Sequence, residues 1–576
     1  MRSDSYEPVT DIESLREEGR QVVSADSQSV VLFHHDGEVY AVDNRCPHMG
    51  FPLSEGSVDE GILTCHWHHA RFELSCGDTF DIWADDVQTY PTEIEDGEVY
   101  IDPHPDPDVP PETYWRDRLV DGLSENISLV MAKGVIHLDD LGEGFTTPLE
   151  TALEFGVSYR AMGWGRGLTT LATMATLHGW VDRPEKRRAM YVGIREVASE
   201  CAGEPPRFEQ YSLGTEAPTR DRLKEWFREN CEVRDSNGAE RVIRTAAVTL
   251  APEDVVEILL AAATDHLYMN SSHTLDFINK ACETLDHVGW GRAEQVLGST
   301  VDQLTGGSRA EEQSQWRQPV DVASLVFDAH EALPDLVAAG EGRTWERPEG
   351  FVETLLSDDP AAIVDALQDA IQAGATAEQL TDAVARAATR RVAQFGTSNE
   401  FNDWNTVHHT FSYANAAHEL ARRTAAIEAY KPAFDGAMSV YLDRFLNEPP
   451  ARLPDPDGDR EPETVRAELL DAFDRQGEVN TAGKLVAEHF EAGGADERLV
   501  QTLGEGLLRE DPQFHTLQNL EGAIRRYERA DTEAGRQLPL IAAARYMSAH
   551  YPTQRSSEQT FGIARRLQRG EKIHQD

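Results

Sequence analysis

Two hydrophobic rhythms divide the chain. As far as Ile101, apolar residues come in short runs or alternate with polar ones, and tight-turn pairs separate them. Val30-Val31-Leu32-Phe33 and Val39-Tyr40-Ala41-Val42 flank Asp36-Gly37, while Glu93-Ile94-Glu95 and Val99-Tyr100-Ile101 flank Asp96-Gly97. An Asp-Gly pair supplies the positive-φ residues of a two-residue hairpin, so both stretches predict antiparallel strand pairs. Beyond Trp115 the rhythm changes to Ala- and Leu-rich amphipathic segments, of which residues 254–263 are an example. That spacing predicts helices. The expected architecture is a multidomain α+β protein, with an antiparallel all-β domain over residues 1–104 followed by a large, mostly α-helical region.

Two breaks rich in proline and aspartate punctuate this pattern. The first, Asp102-Pro103-His104-Pro105-Asp106-Pro107-Asp108-Val109-Pro110-Pro111, cannot join a strand ladder, and residues 105–115 are expected as a linker. The second runs from Asn447-Glu448-Pro449-Pro450 through Asp455-Pro456-Asp457-Gly458-Asp459. A break at 447–464 would leave a helical domain at 116–446 and a C-terminal helical segment at 465–576. The helical part also carries degenerate repeats. His273 to Glu283 overlays His409 to Glu419 in the pattern H-T-x-x-aromatic-x-N-x-A-x-E, and a fainter copy starts at His515-Thr516-Leu517. Gly-Trp-Gly-Arg occurs at Gly163 and again at Gly289. Stacked helical repeats, each burying its apolar face on the next, account for such a pattern.

Composition narrows the setting. The 576 residues hold 102 acidic and 53 basic side chains, a net charge of -49, and only seven of the basic residues are Lys. No basic stripe follows a phosphate backbone, so nucleic acids and anionic membranes are not expected as partners. The acids are spread along the chain, as on a salt-adapted surface, and the cytoplasm of an extreme halophile is the expected setting. No apolar run approaches the ~18 residues of a membrane span, and Met1-Arg2-Ser3-Asp4-Ser5-Tyr6 begins no secretory h-region. Six cysteines are too few for a disulfide framework; Cys76, Cys201, Cys231 and Cys282 are expected as reduced thiols.

The other two cysteines fall in a metal-ligand spacing. Cys46-Pro47-His48 and Cys65-His66-Trp67-His68 are separated by sixteen residues. A 2Fe-2S cluster with two thiolates on one iron and two imidazoles on the other requires one Cys and one His from each loop. Tetrahedral zinc is the alternative, although zinc fingers pair Cys with Cys and His with His rather than interleaving them.

Together with Tyr90-Pro91 and the closing Glu95-Asp96-Gly97-Glu98-Val99-Tyr100, this motif resembles the Rieske family over about the first 100 residues. The likeness is to Rieske ferredoxins and to the N-terminal domains of Rieske oxygenases. It implies that Cys46 and Cys65 hold the inner iron of one 2Fe-2S cluster, and that His48 and His68 hold the outer, exposed iron where electrons leave. His69 departs from the family, which usually has Gly there. High-potential respiratory members carry an extra Cys in each loop, joined as a disulfide, and a Ser that donates to a cluster sulfur. Phe51, Trp67 and Ala70 take those three places. The resemblance therefore implies a potential toward the bottom of the roughly -150 to +300 mV Rieske range.

The helical region offers further candidates. A Rieske oxygenase catalytic domain would place an acid and two histidines around a mononuclear iron, and the nearest match, Asp265-His266 with His273, has the wrong spacing. Histidines also stand at 178, 287, 408, 409, 418, 489 and 515. The aligned positions of His273, His409 and His515 would let them converge on a second metal, haem or substrate site; repetition of a helix-start histidine is the plainer reading. The stretch from His408 to Ala416 resembles the helical questin oxidase-like family, whose namesake is a Baeyer-Villiger-type oxidase. No G-x-G-x-x-G follows a predicted strand, so electrons are expected from a reductase or ferredoxin. The function expected is electron transfer within an oxidoreductase acting on a small organic substrate in the helical region, with an oligomer shortening the electron path. The alternative is an electron carrier or redox sensor whose helical repeats dock a partner protein.

Overall fold

A computed structural model describes residues 5–214, 218–267, 273–456, 460–571 and 573. Expectations for residues 1–4 and for 457–459, at the end of the second break, lie outside the described residues. The chain divides into two compact units, residues 1–151 with 559–576, and residues 152–558.

The first unit begins with ten short strands: β1 (Glu7–Asp11), β2 (Arg20–Ala25), β3 (Gln28–His35), β4 (Glu38–Asp43), β5 (Ser57–Asp59), β6 (Ile62–Thr64), β7 (Arg71–Glu73), β8 (Thr89–Tyr90), β9 (Thr92–Glu95) and β10 (Glu98–Ile101). They form three antiparallel sheets, ordered β1-β10-β9, β2-β3-β4-β8 and β5-β6-β7. Asp36 and Gly37 turn at φ 49° and 88°, and Asp96 and Gly97 at φ 52° and 88°. Both predicted hairpins therefore close as their Asp-Gly pairs require.

The unbroken apolar run in β3 has a physical reason. Val31 and Phe33 enter one core, with Val42, Cys46, Leu63, Cys65 and Phe72. Val30 and Leu32 enter the other, with Val39, Ala41, Val99 and Ile101. Successive side chains of a strand point to opposite faces, so a sheet buried on both faces needs apolar residues at consecutive positions.

The proline-rich stretch gives way to a helix at Pro111–Ser124, because proline is tolerated at a first helical position, where its missing N–H is not needed. A second helix, Ser128–Asp140, folds back on it. The crossing requires glycine: a Cβ on Gly122 would stand 2.9 Å from Met131 Cγ.

Between residues 152 and 558 the described residues contain helices and loops and no strand. The helix Phe401–Ala421 packs against Thr274–Val288, Phe514–Glu528 and Glu533–His550. The three aligned segments are thus neighbours, and their threonines, Thr274, Thr410 and Thr516, are all buried. Their helical positions differ, however. His273 caps one helix and His515 is the second residue of another, whereas His409 lies in the third turn of its own. Among the described residues no helix is long and apolar enough to cross a membrane.

Candidate metal centres

Two loops of the β unit present the Cys-His motifs, one after β4 and one between β6 and β7, and the same pair of backbone hydrogen bonds closes each. In the first, Cys46 N donates to Phe51 O at 2.8 Å and Gly50 N to Cys46 O at 2.8 Å. In the second, Cys65 N donates to Ala70 O at 2.8 Å and His69 N to Cys65 O at 3.0 Å. The fourth position after each Cys is left-handed, with φ 81° at Gly50 and 64° at His69. Glycine is the natural residue in that conformation, so His69 carries a local strain that its counterpart avoids. Its ring is exposed to solvent.

The loops bring the four candidate ligands together. Cys46 and Cys65 are buried, and their sulfurs lie within hydrogen-bond reach of one another. The shared hydrogen bond, with burial, raises the Cys46 pKa; it lowers that of Cys65, helped by the amides of Trp67 and His68. Amides aimed at sulfur are what thiolate ligands need. The His48 and His68 rings meet edge-on at 4.9 Å, with Trp83 4.6 Å from His48. Burial, then His68 and Lys133, pushes His48 down to about 4, and burial followed by His69 lowers His68. His48 Nδ1 is buried without a hydrogen-bond partner, and coordination to a metal would satisfy it. Two thiols and two imidazoles on two facing loops, with one nitrogen otherwise orphaned, fit a 2Fe-2S cluster. At the positions where the high-potential members of the family form a disulfide, Phe51 and Trp67 pack ring to ring at 6.0 Å, and none of the six cysteines is in a disulfide.

The helical unit assembles a second group. His515 Nε2 lies 3.1 Å from His409 Nε2 and 3.3 Å from His273 Nε2, and ligand atoms of all three lie within 4.8 Å of one another. One metal ion at the usual ~2.0–2.1 Å from each nitrogen would hold them about 3.0–3.4 Å apart. Asp276 Oδ2 accepts from His273 Nδ1 at 2.9 Å, which keeps the proton on Nδ1 and turns the Nε2 lone pair inward. Gln518 Nε2 donates to the same carboxylate oxygen at 2.9 Å. Behind this set, His408 is fully buried against Gln518 and Asn519. Burial, then the neighbouring imidazoles, pushes His409 down to about 4 and His515 down to about 2. Phe277 stacks on His273 at 5.2 Å and Phe514 meets it edge-on at 5.3 Å. A cavity of about 360 Å³ reaches His273 and Phe277, with Arg166, Glu200 and Asp302 in its wall.

Other histidines have different work. His266 lies between Glu311 at 2.8 Å and Glu232 at 2.6 Å, and Asp265 pairs with Arg228 at 2.7 Å, so neither joins His273 in an oxygenase-type iron site. His418 and His489 bond backbone carbonyls. Sequence reasoning passed over Asp276 and Gln518; it named His408 among the helical histidines but not its place behind the other three. The i+3 spacing of Asp276 from His273 was the available signal.

The fold and the first site together define an iron-sulfur electron-transfer domain. Residues 5–91 match the family model of the Rieske [2Fe-2S] domain. The 3-phenylpropionate/cinnamic acid dioxygenase ferredoxin subunit of Photorhabdus laumondii is 38% identical over 95 residues, which are 16% of this chain and 90% of that protein. Human apoptosis-inducing factor 3 is 37% identical over 73 residues, 12% of each chain. Among solved structures, the Sphingomonas yanoikuyae B1 ferredoxin is 29% identical, with 17% of this chain and 98% of that one covered and a TM-score of 0.16. Through its β domain this chain belongs to the Rieske family, and that domain implies a 2Fe-2S cluster. No family model matches the helical remainder.

Proposed function

We propose that the chain is an oxidoreductase in which the Rieske domain, residues 1–104, passes electrons to a metal ion held by His273, His409 and His515, for reaction of a small organic molecule in the cavity beside His273. In this reading Cys46 and Cys65 hold the inner iron and His48 and His68 the outer one. The observation that carries the proposal is the approach of three Nε2 atoms from three separate helices, at 3.1 and 3.3 Å, with Asp276 fixing one tautomer. Nitrogens so close suit one small ion rather than a porphyrin.

When bound, the cluster supplies one-electron transfer and the three-histidine ion supplies open coordination positions for a small molecule. Asp276 retains the proton on His273 Nδ1. Phe277 stacks on the His273 ring and Phe514 meets it edge-on, which fixes the ring's orientation beside the cavity. A reductase or ferredoxin is the proposed electron donor, a halophile's cytoplasm the proposed setting, and an oligomer the proposed assembly.

The test is metal analysis with EPR on anaerobically purified, dithionite-reduced protein, comparing the wild type with His273→Ala/His409→Ala. The expected result is a rhombic Rieske signal in both and further metal in the wild type alone. Equal metal in both would leave a second reading, an electron carrier or redox sensor whose helices dock a partner. That reading is favoured by the name of the Photorhabdus relative, a ferredoxin subunit that the β domain matches over nearly its whole length. Substrate-dependent turnover with a generic reductase supports the first reading, and cluster reduction without turnover supports the second.

A further inference from the structure

The helices Pro111–Ser124 and Ser128–Asp140 do more than follow the β domain. Lys133, only 4% exposed, points its ammonium at the loop that carries His48. Lys133 Nζ donates to Pro47 O at 2.5 Å and lies 3.4 Å from His48 O. Its charge partner is Asp85 Oδ2 at 2.7 Å. Asp85, also buried, accepts through Oδ1 from Arg118 Nε and Nη2, both at 3.2 Å. Arg118 Nη2 donates in addition to Ile82 O at 2.8 Å and Ala84 O at 2.9 Å, and Nη1 to Asp121 at 2.8 Å. One closed set of charges therefore ties two helices to the backbone beside a cluster ligand.

Stability alone is a poor account of this arrangement. Taking ions out of water costs about as much as their pairing returns, and apolar side chains of similar volume often stabilise a core as well. Position gives a better one. Reduction adds one negative charge to a cluster, and a nearby charge out of water acts on it with little screening. An ammonium favours the reduced state, and a carboxylate disfavours it.

We propose that Lys133 is a positioning residue that raises the reduction potential of the cluster, and that Asp85 partly offsets it, so that the helix pair is a working part of the redox centre. The inference rests on His48 as an iron ligand and not on the three-histidine site.

The test is an EPR-monitored redox titration of the full-length, cluster-loaded protein in four forms: wild type, Lys133→Met, Lys133→Arg and Asp85→Asn. Iron content and the rhombic line shape report whether ligation is intact, separately from the midpoint. The expected result is a midpoint lowered in Lys133→Met, close to wild type in Lys133→Arg, and raised in Asp85→Asn. The two charge-removing variants break the same buried pair, so a merely structural role moves both in one direction or neither. Shifts of the same sign, or none in either with the cluster retained, would overturn the proposal. Should Lys133→Met lose its cluster, a midpoint in Asp85→Asn that does not rise overturns it as well.

Discussion

The two centres are assembled in opposite ways. The four groups of the β unit lie between Cys46 and His68, on two loops that each close through their own backbone hydrogen bonds. In the helical unit, His273 and His515 are 242 residues apart, and each of the three histidines arrives on a different helix. Local hairpin geometry positions the first centre; helix packing alone positions the second. Buried charges hold that packing in register: Lys280, on the His273 helix, reaches Glu283 at 2.8 Å and Glu521, on the His515 helix, at 2.6 Å. The first centre should therefore respond to changes in its own loops, and the second to any change that moves one helix against another.

The strongest way to break this contrast is Cys65→Ala. It should abolish the Rieske EPR signal and the cluster iron while leaving metal at the three histidines unchanged, as elemental analysis with EPR would read. A joint loss would mean that the centres are not independent. Next comes Asp276→Asn, which removes the carboxylate behind His273. Loss of such an outer partner weakens metal binding about 10–100-fold, and competition against a chelator should show this with the cluster signal intact.

A third test uses pH. Burial pushes Asp382 up, but Arg526 and Arg386 outweigh it and hold the carboxyl down at about 2. A carboxyl whose folded pKa is depressed adds stability above its ordinary pKa of about 4 and loses it as pH falls toward the folded value. Here that amounts to about 2 kcal/mol. Denaturant unfolding between pH 5 and pH 2 should show the loss in the wild type and a flatter profile in Asp382→Asn; parallel profiles would remove the carboxyl from the account. The smallest effect is expected at His69→Gly. Relief of its left-handed backbone should add about 1 kcal/mol in thermal unfolding, with the EPR line shape unchanged.

Legibility followed the same division. Asp36-Gly37 and Asp96-Gly97 announced their hairpins because the turn chemistry is local. The C-x-H and C-x-x-H spacings announced their loops because both ligands of a loop lie within one turn. The three histidines were aligned by sequence, yet the alignment suggested equivalent helix positions. The second helix starts instead at Phe401, eight residues before His409, and only packing brings its third turn level with two helix starts. His266 looked similar in the sequence, but Glu311 and Glu232 engage it. Lys133 carried no local sign at all, since its partner Asp85 is 48 residues away.

The two-faced burial of β3 makes this small domain intolerant of compromise. A pairing slip of one residue would exchange Val31 and Phe33, in the core that holds Cys46 and Cys65, with Val30 and Leu32, in the other, so the packing of both would be disturbed in one event. Damage on the face remote from the metal is thus felt at the metal: a Leu32→Ala cavity, at about 2–5 kcal/mol, should make iron release faster although Leu32 lies in the core without the cysteines. Iron retention in this protein becomes a gauge of the cooperativity of the whole β domain.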